Sequence, residues 1–474
     1  MSKIPNIISD ETGKRIASAL ENLPEPPEWM VQPVVEETTN EWLDNHPEAT
    51  TTVQDGSIEE QKINAGFLPW IKNNYVTPEM FGAVGDGVHD DTEAIQECFS
   101  SNYDIIKIDK IYYIKQSIIV SDKKIIGNGK IIFEASKTLK CGIKIINCKI
   151  NNISFESKNL YTSVWLENGD NKLYSNVFIW SVNSEFKKCE FKCLEDVRDD
   201  ESVSTETLKI IGCIFTDCSE GVVATNCNNI LIKDCMFKCL DYAGTLAHCI
   251  YISGGCNNTL IDSCIVSGSK MYPIQTYNSK SEIENPKDVT IQNCTIIGVS
   301  GAIATNADKT NILNCNVECN ETFLFCDGDV EVISSNISCK YVLFNTKNVC
   351  VKYIGNIINC NNFASSVKPI CYISNNNIYN KIGNQGSFLY AGAIEISLTF
   401  NTDNFLGFDS SSALFVGENG QVRIIGCYIQ EDNLVIWRKQ SPFNVHMINN
   451  VLEGKALLPS SEVVTNVNNV KIPT

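Results

Sequence analysis

From about residue 110 to the C-terminus the chain is written in short runs of alternating apolar and other residues. Asparagine, glycine or serine separates these runs. Alternation with period two is the pattern of a β-strand with one face buried. One heptad-sized phrase recurs: "EFKKCEF" (185–191), "KIIGCIF" (209–215), "LIKDCMF" (231–237), "LIDSCIV" (260–266), "TIQNCTI" (290–296) and "NILNCNV" (311–317). Weaker copies follow as "EVISSNI", "VKYIGNI", "YISNNNI", "RIIGCYI" and "HMINNVL". The cysteines of the strong copies, Cys189, Cys213, Cys235, Cys264, Cys294 and Cys315, fall 24, 22, 29, 30 and 21 residues apart. That spacing is one coil of a β-solenoid. Coils stacked about 4.8 Å apart place the six thiols in one interior ladder. No helix-length apolar period interrupts residues 110–474, so the pattern predicts a parallel β-helix and disfavours a βαβ or leucine-rich design.

The segment before the repeats has a different grammar. In "FGAVGDGVHDDTEAIQECF" (81–99), Gly85 and Gly87 permit tight or positive-φ turns. Asp90 reads as a helix N-cap with Glu93 three residues on, and Ala94, Ile95, Cys98 and Phe99 form one apolar face. A solenoid exposes backbone edges and apolar cross-section at its first coil, so this turn and short helix read as its cap. Asp86, Asp90 and Asp91 are assigned to turn and cap, not to catalysis. Further upstream, Asp10 to Leu23 is a short helical candidate ended by "PEPPEW", and residues 1–74 read as an appended helical and linker region. The expected divisions are 1–74, a cap over 75–110, and the β-helix over 111–474.

Composition narrows the chemistry. Apolar residues at 43% and charged residues at 20% suit a folded chain with a sizeable core. A net charge of −18, with 38 Lys plus Arg against 56 acids, argues against a nucleic-acid groove. No run approaches the roughly 20 apolar residues of a membrane span, and the N-terminal residues lack the apolar centre of a secretory signal. Cytoplasmic synthesis is therefore expected. The 22 cysteines, including Cys-x3-Cys pairs at 189/193, 235/239 and 315/319, read as small buried hydrophobes and not as a zinc site. No metal or cofactor is expected.

The segment 81–99 resembles the entry motif of the pectate-lyase-like superfamily of right-handed parallel β-helix proteins. With the coils included, the resemblance covers roughly residues 75–474. The upstream "NEWLDNHPEATTTVQDGSIEEQKI" resembles the segment preceding such helices in phage and prophage tail proteins. The resemblance implies an all-β, right-handed, single-stranded parallel β-helix of the tailspike type, commonly a homotrimer that acts on a surface polysaccharide of the host bacterium. It implies attachment to phage tail or baseplate proteins through the N-terminal region, and a place in the virion tail. The paired aspartates with Gly-His-Gly and Arg-Ile-Lys of polygalacturonases are missing, as is the calcium-binding aspartate cluster of classical pectate lyases. Fold and setting therefore transfer further than reaction.

Candidate chemistry comes from the second strand of each coil. Aligning "VWLEN" (164–168), "VRDDE" (197–201), "VVATN" (222–226), "IYISG" (250–254), "IQTYN" (274–278) and "AIATN" (302–306) puts second and fourth residues on the outer face. One column then holds Trp165, Arg198, Val223, Tyr251, Gln275 and Ile303. Beside it stand Glu167, Asp200, Thr225, Ser253, Tyr277 and Thr305. Aromatic rings suit pyranose faces, and amides and hydroxyls suit sugar hydroxyls. Trp165, Arg198, Thr225, Ser253, Gln275 and Tyr277 are the expected substrate-binding residues. Hydrolysis needs two carboxyl groups about 5 Å or roughly 6.5–9.5 Å apart, which makes Glu167, Asp199, Asp200 and Glu201 candidates. For β-elimination His248 or Tyr251 would abstract the proton beside a uronate carboxylate that Arg198 neutralises. Hydrolysis is mildly preferred because so acidic a chain is poorly equipped for a polyuronate. The alternative is a receptor-binding protein that holds the glycan intact.

Overall fold

Among the described residues successive coils pair strand on strand, every ladder being parallel. The computed structural model describes residues 75–474 apart from 159–176, 240–247, 277–283, 381–388, 454–462 and shorter stretches between strands and at the C-terminus. Contacts divide the chain into two units, Met1–Asn73 and Asn74–Thr474. The N-terminal helical candidate and linker lie outside the described residues. In the second unit each coil visits three sheets in order: sheet I with 16 strands, sheet II with 17 and sheet III with 14. The result is a right-handed parallel β-solenoid with a single short α-helix among the described residues.

The recurrent phrase is where each coil turns from sheet I to sheet II. It is not one strand, as its unbroken alternation suggests, but two strands joined at a two-residue corner. Ser184–Lys187 and Glu190–Lys192 flank Lys188, whose φ is 53°, and Cys189. The same left-handed residue precedes the ladder position at Gly212, Asp234, Ser263, Asn293 and Asn314. Glycine, asparagine and aspartate tolerate this conformation most readily, which accounts for the polar residue ahead of each cysteine. The six cysteines are all buried, and each turns its thiol toward a main-chain carbonyl; Cys235 Sγ, for example, lies 3.4 Å from Ile210 O. Main-chain amides of Cys189 and Cys213 in turn point at the next coil's sulfur, 3.4 Å away.

Farther along, the same corner is filled by Ser335, Asn356, Asn376, Asp403, Cys427, Asn450 and Asn469. These form a hydrogen-bonded ladder. Asn356 Oδ1 accepts the amide of Ser335 at 2.8 Å, and Asn376 Oδ1 accepts that of Asn356 at 2.7 Å. A buried side-chain amide here satisfies corner groups that the sheets leave open. Inside sheet II a second ladder of rings, Phe191, Phe215 and Phe237, stacks with centroids 4.6 Å apart.

The entry motif caps the first coil. Helix α1 (Thr92–Ser100) buries Ile95, Cys98 and Phe99 against it. Its N-cap is Asp91 and not Asp90. Asp91 makes no side-chain cap bond there: Asp90 Oδ1 accepts from Thr92 N at 3.1 Å, while Asp91 accepts from the amides of Val84 (2.7 Å) and Gly85 (3.2 Å). Asp86 accepts the amides of Val88 and His89. The three carboxylates thus bind the turn together. Gly85 and Gly87, at φ 69° and 74°, take the positive-φ conformations expected of them. Gly87 itself lies in a short strand, Asp86–Asp90, that pairs with Ile111–Ile114, where the sequence suggested only a turn.

The cap also closes an open sheet edge. The Gln96 side chain donates to Ile119 O at 3.0 Å and accepts from Ile119 N at 2.8 Å, on the first strand of sheet III, Ile118–Ser121. Gln96→Ala is expected to cost about 1–2 kcal/mol and to raise hydrogen exchange at Ile119 first. Unchanged exchange at Ile119 would show that the edge does not depend on Gln96.

Candidate functional site

The outer face of sheet III carries the groove. Its strands are short, and their central residues stack one above another: Lys144, Trp180, Arg198, Val223, Tyr251, Gln275, Ala304, Phe325 and Phe344. The described neighbours on either side point into the core, because alternation along three residues leaves only the middle one facing out. Ile250, Ile252, Ile274 and Thr276 are buried accordingly.

This register corrects the expected column at one coil. Ile303, not Ala302, pairs with Ile274, so Ala304 takes the outward register, although its small side chain is buried between its neighbours, and Ile303 and Thr305 turn into the core. Ala302 is buried as well, at the corner before the strand, which makes the first apolar residue of "AIATN" a poor guide to register. Thr305 instead joins an interior hydroxyl pair with Thr276, Oγ1 to Oγ1 at 2.6 Å.

Over the last coils of the column lies an open groove of about 440 Å³ lined by Met271, Tyr272, Gln275, Ala304, Thr322, Phe325 and Phe344. The small side chain of Ala304 leaves a hollow between Gln275 and Phe325. Phe325 and Phe344 stack at 5.5 Å, and Tyr272 lies 6.3 Å from Phe325 at 44°. Tyr272 can sit there because Gly301 has no side chain: a Cβ at Gly301 would come within 2.1 Å of the ring. None of these lining residues is charged.

His248 and Tyr251 meet beside this groove, ring centroids 5.5 Å apart. His248 is buried, and its Nδ1 lies 2.8 Å from Tyr272 O, so Nδ1 carries the proton and donates. Burial lowers its pKa below the ordinary histidine value, the bond to Tyr272 opposing this only in part. The neutral ring leaves Nε2 as a buried acceptor without a partner among the described residues. Burial also raises the Tyr272 phenol.

The candidate residues at the other end have different surroundings. Arg198 faces outward, yet its guanidinium is held in a two-point ion pair by Asp196, Nε to Oδ1 at 2.6 Å and Nη2 to Oδ2, and lies 4.2 Å from the Phe178 ring. Asp199 is fully buried and accepts from Thr225 N (2.9 Å), Thr225 Oγ1 (3.0 Å) and Asn226 N (2.6 Å), a clamp between coils. Thr225 therefore spends its hydroxyl on that clamp. Ser253 is half-buried, its amide bound to Ala224 O. Trp165, Glu167, Asp200, Glu201 and Tyr277 lie outside the described residues. Among the described residues no three His, Cys, Asp or Glu side chains group as a metal site, and no helix is long and apolar enough to cross a membrane.

The structure thus brings His248, Tyr251 and Gln275 together and places Arg198 two coils away. Trp180, Tyr272, Phe325 and Phe344 belong to the same face although sequence reasoning did not single them out. The signal was present in "TFLFCD" and "YVLFN", which continue the strand spacing past residue 306.

No family model matches the chain, and no curated protein matches it in sequence. Solved structures do match. Tailspike protein 3 of bacteriophage CBA120 superposes with a TM-score of 0.51 at 13% identity, over 87% of this chain and 69% of that one. The tailspike gp49 from Pseudomonas phage LKA1 matches at 0.43 and 14%, over 84% of each chain. The A-module of the Azotobacter vinelandii mannuronan C-5 epimerase AlgE4 matches at 0.37 and 11%, over 83% of this chain and all of that one. The likeness to the CBA120 protein is one of fold: this chain has a parallel β-helix similar to that of the CBA120 tailspike.

Proposed function

We propose that this protein is a tailspike-type component of a phage or prophage tail that binds a bacterial surface polysaccharide along the outer face of sheet III. The observation that carries the reading is the groove itself, with Tyr272, Phe325 and Phe344 around Gln275, Ala304 and Thr322. Aromatic faces with one amide and one hydroxyl suit sugar rings, whose C–H faces are apolar and whose edges are hydroxylated. The similar fold of the CBA120 tailspike supports the setting. Residues 75–110 would cap the binding solenoid, residues 1–74 would join it to other tail proteins, and the assembled form would be a homotrimer.

Cleavage of the bound glycan is the finer half of the proposal, and two chemistries divide it. Hydrolysis would draw its acid and base from Glu167, Asp200 and Glu201, because Asp199 is already sealed by hydrogen bonds from Thr225 and Asn226. Elimination would use His248 and Tyr251, and one specific observation favours it: His248 is held neutral, with Nε2 lacking a partner among the described residues. Arg198, tied to Asp196, is weakly placed to neutralise a uronate. The deciding experiment incubates the protein with capsular polysaccharides of candidate hosts and weighs the products. Hydrated oligosaccharides support hydrolysis, and unsaturated ends support elimination at His248. Binding without products leaves a receptor-binding protein, whereas no binding to any host glycan would sink the reading.

A further inference from the structure

The groove over sheet III is lined without charge in a chain of net charge −18, and the amide and hydroxyl side chains in its lining are uncommitted. Elsewhere on these strands the polar groups are bound: Arg198 to Asp196, Thr225 to Asp199, and Thr276 to Thr305. The half-buried side chains of Gln275 and Thr322 make no hydrogen bond among the described residues. At the entry to the Thr322 strand, Glu321 and Lys340 hold each other at 3.1 Å, which closes that charge pair on itself.

Shape adds a second constraint. Strands two coils apart lie about 10 Å from each other. Between Gln275 and Phe325 that interval is floored by the single methyl of Ala304, and the rings of Tyr272 and Phe325 stand around it with centroids 6.3 Å apart. The hollow is therefore apolar at its floor and walls, with the free amide of Gln275 at its rim.

We infer that this hollow receives the acetamido group of a neutral N-acetylated sugar, and that Gln275 and Ala304 set this selectivity. The inference rests on the glycan reading of the groove and names the kind of sugar that fills it. An acetamido group carries a methyl, one N–H donor and one carbonyl acceptor. The Gln275 amide carries the complementary acceptor and donors, while the methyl meets Ala304 and the two rings. A hydroxymethyl group in the same place would leave its hydroxyl against aromatic carbon without a partner. A carboxylate would be worse placed, because burying a charge with no cation beside it costs more than burying a hydroxyl. A 6-deoxy sugar shares the methyl but leaves the Gln275 amide unmatched. The selectivity is independent of cleavage, since an acidic sugar cut at His248 would sit one coil back, at the Tyr251 step and outside the hollow.

The test is saturation-transfer NMR of the full chain with matched methyl glycosides: N-acetylglucosamine against glucose, N-acetylgalactosamine against galactose and its 6-deoxy form D-fucose, and glucuronate. Saturation is expected to be strongest at the acetyl methyl protons, with each acetamido sugar bound about tenfold tighter than its parent. Gln275→Leu is expected to abolish that preference, and Ala304→Leu to close the hollow to acetamido sugars. Should Ala304→Leu misfold by circular dichroism, Gln275→Leu decides, because its side chain stands outside the core. Acetamido sugars that give no saturation or bind no better than their parents, a fucose methyl saturated as strongly as the acetyl methyl, or a preference that survives Gln275→Leu overturns the inference. Any of these leaves the glycan reading standing where capsular polysaccharide of a candidate host binds and Phe325→Ala weakens it. Absence of all polysaccharide binding sinks that reading, and this inference with it.

Discussion

Replacing Phe325 by alanine is expected to weaken glycan binding about 30-fold while leaving the solenoid folded. Phe325 faces outward between Ala304 and Phe344, half-buried, and its ring forms one wall of the groove. Truncating an aromatic anchor at the centre of a recognition surface costs about 2 kcal/mol, and each 1.4 kcal/mol is a factor of ten. Phe344→Ala should act in the same direction, because the two rings stack at 5.5 Å and present one surface. Two residues earlier in the same strand, Phe323 is fully buried. Phe323→Ala is therefore expected to lose about 3–5 kcal/mol of stability through a core cavity. The pair separates binding from folding: glycan titration and thermal unfolding of both variants check it. If Phe325→Ala binds like wild type, the ligand does not lie in this groove.

Strand alternation also explains what the sequence could and could not say about the site. The corner ladder was legible because cysteine, serine or asparagine recurs at a fixed offset after a residue suited to positive φ. Even so, the phrase looks like one strand, since the left-handed residue turns the chain without disturbing the inward direction of the cysteine. In the outer column, Arg198, Tyr251 and Gln275 followed from aligning the short strands. The slip at "AIATN" moved Ile303 to the wrong face, because a shift of one residue exchanges every inward and outward side chain. Ala302 offered no resistance to that slip, being small, apolar and buried at the corner. The carboxylates were hardest to judge. Asp199 and Asp200 are adjacent in an acidic run, and only the neighbouring coil's amides at Thr225 and Asn226 turn Asp199 into a clamp. A partner 26 residues away leaves no local trace.

Asp403 shows the same limit inside the ladder, and it sets a second large effect. It occupies the corner position that Asn356, Asn376 and Asn450 fill elsewhere, in a phrase, "FNTDNFL", lacking the usual cysteine or asparagine at that place. Asp403 is fully buried; Oδ1 accepts from Asn376 N at 2.8 Å and Nδ2 at 2.9 Å, and Oδ2 from Asn401 N at 2.9 Å. Burial outweighs these amides and pushes its pKa up from 3.8 to about 6. The folded state then binds the proton more tightly than the unfolded state. The resulting stability is fully present below about pH 4 and is lost as pH rises through about 6, a change of about 3 kcal/mol. Asp403→Asn extends the asparagine ladder and cannot titrate. Relative to this variant, wild type is expected to lose about 3 kcal/mol between about pH 4 and pH 8, read from denaturant midpoints at each pH. Because every other titrating group is common to both proteins, parallel stability curves over that range would mean that Asp403 keeps an ordinary pKa in the folded state.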